Sequence, residues 1–511
     1  MRAALVPWPH TVQLDDATTT ALDPDRVVIE AENGLRDVRA WLERELARLA
    51  RRDHAEEKPP LRIVLLAGEA PREVPVADGV SPDEVAQDER HTVTIAPGEV
   101  TITGPCPRAV LRGAATLVQL AECSAGRLPL GRIADGPRLA WRGLMLDVVR
   151  HPFSTEEIRR VITLLTRYKL NVLHLHLTDT EGWRLQSTSH PGLDATSPGE
   201  LITRRDLDAL TTFAAAHGVT IIPEIDLPGH SLAAVRAYPR LNAGGAAARL
   251  GYVDPAAPLA EAFLHETVTE FADASRGRFV HVGGDEPFGM PFESYVPAVL
   301  HTVRAAHEAG RRVVAWQEAV RAGALGEGDV VQLWIGAEVS IDADAKKAEL
   351  PEAAHPFVDL MVELFAHAPS DGPAAAAAGL PVLISSSDVL YLDRPYAQAA
   401  DDAEGEDRRA RLGFRDYPAK TLREMFEWTP ESLLAGLDAE IAGVEAAIWA
   451  ETITCFDDLA FLLLPRLTTA AERAWTRERT SWDDHWARLD PHFGLWKATG
   501  WGGAFRPATT Q

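Results

Sequence analysis

Between about Arg142 and Trp475, short apolar runs alternate with longer amphipathic stretches. Eight runs stand out: GLMLDVV, NVLHLHLTD, VTIIPEID, RFVHVGGDE, RRVVAWQE, DVVQLWIG, PVLISSS and AGVEAAIW. Such alternation predicts repeated βα units and a parallel sheet. Ser154 and Glu157 predict a capping box at the head of the first crossover helix, where Ile158, Val161, Ile162 and Leu165 recur at helical spacing. Gly218, Gly277 and Gly310 each precede a strand and predict helix C-caps. Eight βα units predict a closed (β/α)8 barrel, an α/β fold, with a doubly wound open sheet as the alternative. No glycine-rich dinucleotide fingerprint follows the first strand. The stretch from about Ala337 to Pro369 is long and acidic for a βα connection, and predicts an excursion near the barrel mouth.

Residues 1–137 read differently, as a small α+β domain preceding a second unit, 138–511, that holds the barrel and a C-terminal helical tail. RVVIEA and LRIVLLAG read as strands flanking a helix from Leu35 to about Leu49, with Val38, Trp41, Leu42 and Leu49 on related faces. HTVTIAPGEVTITG reads as a hairpin turning at Pro97-Gly98, Pro107 to Cys123 as a second helix, and GRLPLGRIADGPRL as a linker. In the tail, Trp482, Trp486, Trp496 and Trp501 predict packing of a terminal helix.

The composition is that of an ordinary globular protein: of 511 residues, 46% are hydrophobic and 25% charged, which excludes disordered and collagen-like readings. The net charge of -24 repels phosphate backbones and anionic headgroups, so nucleic acid and membrane surfaces are not expected partners. Cys106, Cys123 and Cys455 lack metal-type spacing, and an odd count argues against a disulfide framework. Together with an N-terminus lacking a long apolar run, this predicts a cytoplasmic protein.

Polar residues gather where the predicted strands end, which in a barrel is the functional face. These are Arg150, Asp179, Asp226 with His230, Asp285-Glu286, Trp316, Trp334, Tyr391 with Asp393, and Trp449 with Glu451. Singly, each has a plain structural reading: Arg150 as an ion-pair residue, Asp226 as a helix cap, a tryptophan as core. Gly283-Gly284-Asp285-Glu286 is the most informative run. Adjacent strand residues point to opposite sides, so two neighbouring carboxylates share a pocket only where the backbone bends, and the glycines permit that. The functional reading is a general acid beside an orienting carboxylate, with mutual repulsion raising one pKa. His174 and His176, at i and i+2, raise a metal-dependent hydrolase as an alternative, although satisfied barrel histidines explain them better. Several tryptophans with carboxylates and an arginine have the composition of a sugar site, since flat rings cover the C–H face of a pyranose and charged groups hold vicinal hydroxyls.

The motifs RGLMLDVVRHPF, YKLNVLHLHLTDTEGWR, IIPEIDLPGHS, HVGGDE, VAWQE, VQLWIG, YLD, IWAE and PRLTTAAERAW, in this order, resemble the family 20 glycoside hydrolases, the β-N-acetylhexosaminidases. The leading α+β unit resembles that family's noncatalytic domain. The resemblance implies an exo-acting enzyme that releases terminal β-linked GlcNAc or GalNAc with retention, using the substrate's own acetamido oxygen as nucleophile and no metal or cofactor. Its partner would be an oligosaccharide or glycoconjugate ending in a β-N-acetylhexosamine. It implies Glu286 as general acid/base, Asp285 as the acid orienting the acetamido group, and Tyr391 as the donor to its oxygen. Arg150 and Glu451 would hold the sugar hydroxyls; Trp316, Trp334 and Trp449 would wall the pocket. Asp179, Asp226 and His230 would support the acid/base pair, and Asp393 would line the pocket. A sugar-binding barrel without activity is a further alternative, against which the intact Asp285, Glu286 and Tyr391 argue. Three departures stand out: Asp416, between Phe414 and Tyr417, falls near a position where the family has a pocket tryptophan; Thr180 replaces an acid; and the 337–369 stretch has no family counterpart.

Overall fold

The computed structural model describes residues 3–49, 60–242, 244, 250–336, 339, 342–434 and 436–509. Its first part is a six-stranded mixed sheet, β1 (Thr11–Ala21), β2 (Val27–Ala31), β3 (Leu61–Ala67), β4 (His91–Ala96), β5 (Glu99–Gly104) and β6 (Arg127–Asp135), in the order β1-β6-β4-β5-β3-β2. Helices α1 (Arg36–Ala47) and α2 (Pro107–Cys123) pack together and bury Val38, Trp41, Leu42 and Val110 in one core with Ile63, Val93 and Ile102 of the sheet. β4 and β5 form the expected hairpin, with Gly98 at φ +77° in the turn.

Two sequence readings need correction. GRLPLGRIADGPRL is no linker: residues 127–135 form β6, paired with both β1 and β4. The proline and glycines that suggest a turn are absorbed by a register shift. Pro129 lies opposite Thr19 beside the irregularity in β1, and at Gly131 a Cβ would meet the Gln13 carbonyl at 2.0 Å. Its partner β1 sets only Val12 and Leu14 against the core and is exposed from Asp15 to Thr19, so little alternation marks it. Gly277 is the second correction. The helix before it ends at Ala274, and Gly277 is outside the left-handed region, whereas Gly218 (φ +65°) and Gly310 (φ +77°) adopt it.

All eight predicted barrel strands form: β7 (Trp141–Asp147), β8 (Val172–His176), β9 (Thr220–Glu224), β10 (Phe279–His281), β11 (Arg312–Trp316), β12 (Val330–Leu333), β13 (Val382–Ile384) and β14 (Ile441–Ile448). They are parallel and close through β14 against β7. Ser154 caps the first crossover helix, α3 (Thr155–Arg167), in a complete capping box with Glu157. One apolar residue from each strand fills the lower layer: Trp141, Val172, Ile222, Phe279, Val314, Val330, Leu383 and Ala442. Because side chains alternate along a strand, the next inward layer is set two residues later, or three in β14 where its register with β13 shifts, and here it is polar, with His174, Glu224, His281, Gln332 and Glu445 buried. Gly143 of β7 makes room for it, since a Cβ there would lie 2.2 Å from Glu445 Oε2.

The tail forms two short helices, Trp482–Leu489 and His492–Ala498, that bury Trp482 and Trp496; the Trp496 indole donates to the Tyr168 hydroxyl at 2.8 Å. Between β12 and β13 the chain makes its predicted excursion, as helices Ala343–Glu349 and His355–Phe365, before the crossover helix Ala368–Ala377. Residues 337, 338, 340 and 341 of that stretch lie outside the described residues. Among the described residues, no helix is long and apolar enough to cross a membrane.

Candidate active site

β10 stops at His281 because the backbone leaves the extended region: Gly283 has φ +71°, Gly284 φ +103° and Glu286 φ +41°. Only glycine fits at 283, where a Cβ would lie 1.9 Å from Asp226 Oδ1. The bend is pinned from two sides, by Gly284 N–H donating to Asp226 Oδ1 (3.2 Å) and by the Tyr295 hydroxyl donating to the Gly284 carbonyl (2.6 Å). It places Asp285, 6% exposed, and the more open Glu286 side by side at the mouth of the barrel.

His230, itself at φ +46°, joins three acids. Its Nδ1 donates to Asp179 at 3.0 Å, and its Nε2 lies 3.4 Å from Glu286 Oε2 and 3.9 Å from Asp285 Oδ2. Burial opposes a charge on this imidazole, but Asp179, Asp226 and Asp285 overcome it and raise the pKa well above the usual histidine value. Asp179 is held well below the carboxylate range: Arg150 and His230 outweigh its burial. Asp285 is pushed up to about 6, by burial first and by the charge of Glu286. Asp226 is also raised well above its usual value, by burial first and then by the charge of Asp285, so the two carboxyls titrate as a coupled pair.

A second group of charges surrounds Arg150, 12% exposed in its side chain. Its guanidinium donates to Glu181 (2.9 Å) and Asp147 (3.3 Å), forms an ion pair with Asp179 (2.7 Å), and stands 4.0 Å from Glu451, whose side chain is 36% exposed. Beside Thr180, Glu181 pairs with Arg150 and is more exposed than Asp147 or Asp179. Asp393 accepts from the Trp449 N–H at 3.5 Å; burial and then Glu451 push its pKa up to about 8, and its Oδ2 has no partner among the described residues.

Aromatic rings form the walls. Trp334 and Tyr391 stack in parallel, 6.2 Å apart with 10° between planes, and Trp449 leans on both Tyr391 (6.0 Å) and Trp316 (6.2 Å). Trp316 is fully buried with its indole N–H donating to Glu224 at 2.8 Å, so it lies in the floor beneath Trp449. Tyr417 packs edge-on against Tyr391 at 5.9 Å, while its neighbour Asp416 turns away to Lys346 at 2.6 Å. At this departure from the family pattern, the tyrosine and not the acid borders the pocket.

Beneath the floor lie groups that sequence reasoning did not single out. Glu224 accepts from His176 Nδ1 (2.5 Å) and approaches His174 Nε2 (3.0 Å) and His281 Nδ1 (3.1 Å); Glu445 accepts from His174 Nδ1 (2.9 Å) and the Trp141 indole (2.9 Å). Glu318 is fully buried, accepts from the Trp334 indole at 3.1 Å, and is pushed up to about 8 by burial and by Asp285. An acid inside an otherwise apolar strand, in register with the inward layer, was the available signal for Glu224 and Glu445. Both His176 nitrogens donate to carboxylates, to Glu224 and, at 2.8 Å, to Asp179. His174, Glu224 and His281 have ligand-type atoms within 4.8 Å of one another, as do Asp226, His230 and Asp285. Hydrogen bonds to Glu445, His176 and Asp179 hold His174 Nδ1, Glu224 and His230 Nδ1, whereas His174 Nε2, His281 Nε2, His230 Nε2, Asp226 Oδ2 and Asp285 Oδ1 have no hydrogen-bond partner among the described residues.

The structure therefore brings all twelve predicted site residues to one end of the barrel or, for Trp316, just below it. The chain matches the catalytic-domain model of glycosyl hydrolase family 20 over residues 139–299 and 291–478, and the model of domain 2 of that family over 2–136. A β-N-acetylhexosaminidase of Cellulomonas fimi is 34% identical over 462 residues, covering 86% of this chain and 85% of that protein. A β-hexosaminidase of Akkermansia muciniphila is 28% identical over 442 residues, covering 80% and 83%. Among solved structures, the N-acetyl-β-hexosaminidase of Streptomyces plicatus in complex with Thio-NAglucal superposes with a TM-score of 0.79 at 27% identity, covering 98% of this chain and 95% of that one. A barrel of this topology with these motifs, matched over nearly its whole length, has one assignment: the chain belongs to glycosyl hydrolase family 20.

Proposed function

We propose that the protein is an exo-acting, retaining β-N-acetylhexosaminidase that removes terminal β-linked GlcNAc or GalNAc from oligosaccharides or glycoconjugates. The observation that carries this reading is the buried Asp285 beside the more exposed Glu286, facing an aromatic box of Trp334, Tyr391 and Trp449. That arrangement suits a substrate amide better than a protein nucleophile, because Asp285 is placed to hold an amide N–H while the rings enclose the acetyl group.

In the first step the acetamido oxygen bonds to the anomeric carbon as the C1–O1 bond breaks, and Glu286 gives its proton to the departing oxygen. A cyclic oxazolinium forms, its N–H held and its positive charge stabilised by Asp285, while the Tyr391 hydroxyl donates to the oxygen. Water then gives Glu286 a proton and adds to the anomeric carbon on the face the aglycone left. The C1–O bond of the ring breaks, the acetamide is restored and the β configuration returns. His230, charged and fixed by Asp179, positions Glu286. Arg150 and Glu451 hold the outer hydroxyls, and the ion pairs around Arg150 fix its fork for bidentate contacts.

Parallel hydrolysis of aryl β-GlcNAc, β-GalNAc and β-glucoside substrates tests the reading. Cleavage of the acetamido sugars with the β-anomer released first, and no turnover of the glucoside, is the expected result. Efficient glucoside cleavage, or a glycosyl ester trapped on an Asp or Glu, would defeat the substrate-assisted mechanism. Sugar binding with no cleavage would make the barrel an idle binding module.

A further inference from the structure

Asp147 is the last residue of β7, and its side chain is fully buried beneath Arg150. Its two oxygens have different partners. Oδ1 accepts from the Val149 N–H at 2.8 Å and the Arg150 N–H at 3.1 Å, which fixes the backbone that carries Arg150. Oδ2 accepts from Arg150 Nη1 at 3.3 Å and, across the seam where the barrel closes, from the Ala450 N–H at 3.1 Å. The β7–β14 ladder runs as far as Leu146 and Ile448, so just beyond it this carboxylate stands where a backbone carbonyl would otherwise receive the next N–H.

Ala450 lies directly before Glu451. Arg150 Nη1, the nitrogen on Asp147, is also the one 4.0 Å from Glu451, while Nε is turned to Glu181 and Nη2 to Asp179. A turn at the end of a strand needs only the Oδ1 contacts. Oδ2 adds two more, and both bear on the spacing between the arginine and the chain that presents Glu451. Donors converge on both oxygens, so the position calls for an acid: an amide would turn its NH2 toward one pair of them.

We propose that Asp147 is a positioning residue of the sugar pocket, which holds Arg150 and the end of β14 as one unit so that Arg150 and Glu451 together engage the hydroxyls of the terminal sugar. Asp147 does not itself reach the sugar, since it is fully buried. The inference rests on the hydrolase reading above, in which Arg150 and Glu451 hold those hydroxyls.

The test compares kcat/KM for aryl β-GlcNAc and its 3-, 4- and 6-deoxy derivatives in the wild type and in Asp147→Asn. Asparagine keeps the size of the side chain and an oxygen for Val149 and Arg150, but faces Arg150 Nη1 and Ala450 with an NH2. In the wild type, removing a hydroxyl held by Arg150 and Glu451 should cost about ten- to a hundredfold. In Asp147→Asn the parent substrate should lose about as much, and the further penalty for removing that hydroxyl should shrink to within about threefold. The preference for N-acetyl over N-trifluoroacetyl substrates, which reports attack by the acetamido oxygen, should keep its wild-type value, because none of these hydrogen bonds reaches Asp285. An even loss across the series with the deoxy penalties preserved would make Asp147 a structural residue and overturn the proposal, as would wild-type kcat/KM in the variant. Should Asp147→Asn lower the melting temperature, Asp147→Ser takes its place, since a serine hydroxyl accepts from the following N–H groups but does not span to Ala450. Loss of the fold in both variants would also count against the proposal. A wild type that shows no deoxy penalty would remove Arg150 and Glu451 from the hydroxyl pocket, and this inference with them, while leaving the hydrolase reading intact. No cleavage of any acetamido sugar would defeat that reading itself.

Discussion

His230 stands between Asp179 and Glu286, with Nδ1 3.0 Å from one carboxylate and Nε2 3.4 Å from the other. Asp179 is in turn fixed by His176 and Arg150, so the histidine that faces Glu286 is anchored to both the barrel core and the hydroxyl pocket. A carboxyl that must first give and later take a proton needs such an anchored partner, because a small displacement of either atom weakens the transfer.

Glu286→Gln should keep the shape of the site but remove the proton donor, lowering the rate by about 10² to 10⁴. Aryl substrates whose leaving groups depart without protonation should suffer least. Wild-type rates on both poor and good leaving groups would show that Glu286 is not the acid.

Asp285 must be ionised to hold the acetamido N–H and the charge that develops on it, and its pKa is raised to about 6. Activity should therefore fall as the pH drops through about 6, with the limb belonging to the Asp226–Asp285 pair as a unit. Asp285→Asn should lower kcat by about 10² to 10³ and remove the limb. A kcat/KM profile in the variant with the same acid limb would assign it elsewhere.

Glu318 is raised from its usual value to about 8, so the folded state binds this proton more tightly than the unfolded state does. The sign follows: its contribution to stability is fully present below about pH 4.5 and is lost as the pH rises through about 8. Glu318→Gln mimics the neutral form and still accepts from the Trp334 indole. Thermal melts should match wild type near pH 5 and show a smaller decline toward pH 9. A variant that loses as much as wild type on the alkaline side would mean that Glu318 is not the group responsible.

Dialysis against EDTA should leave activity unchanged, because the proposed steps use carboxylates and a substrate amide in place of a Lewis acid. If chelation abolished turnover and zinc restored it, the His174–Glu224–His281 grouping would become the site to examine.

The periodic parts of the protein were legible in the chain. Eight apolar runs gave eight strands, the capping box at Ser154 gave the start of α3, and Gly283-Gly284 announced a bend, because each rests on interactions among residues within a few positions of one another. β1 and β6 were not legible. They pair with each other across more than 100 residues, and β6 pairs also with β4, and this non-local pairing overrides a largely polar pattern in one and a proline and glycines in the other. The same distinction holds in the site. The sequence by itself placed Asp285, Glu286, His230 and Arg150 at strand ends, since strand polarity sets which end of a barrel each residue reaches. Only the tertiary structure decided that Glu181 pairs with Arg150, that Tyr417 and not Asp416 borders the pocket, and that Trp316 lies in the floor. Those outcomes turn on which side chains from separate loops meet, and on what burial and neighbouring charge then do to Asp285 and Glu318, quantities that local spacing does not contain.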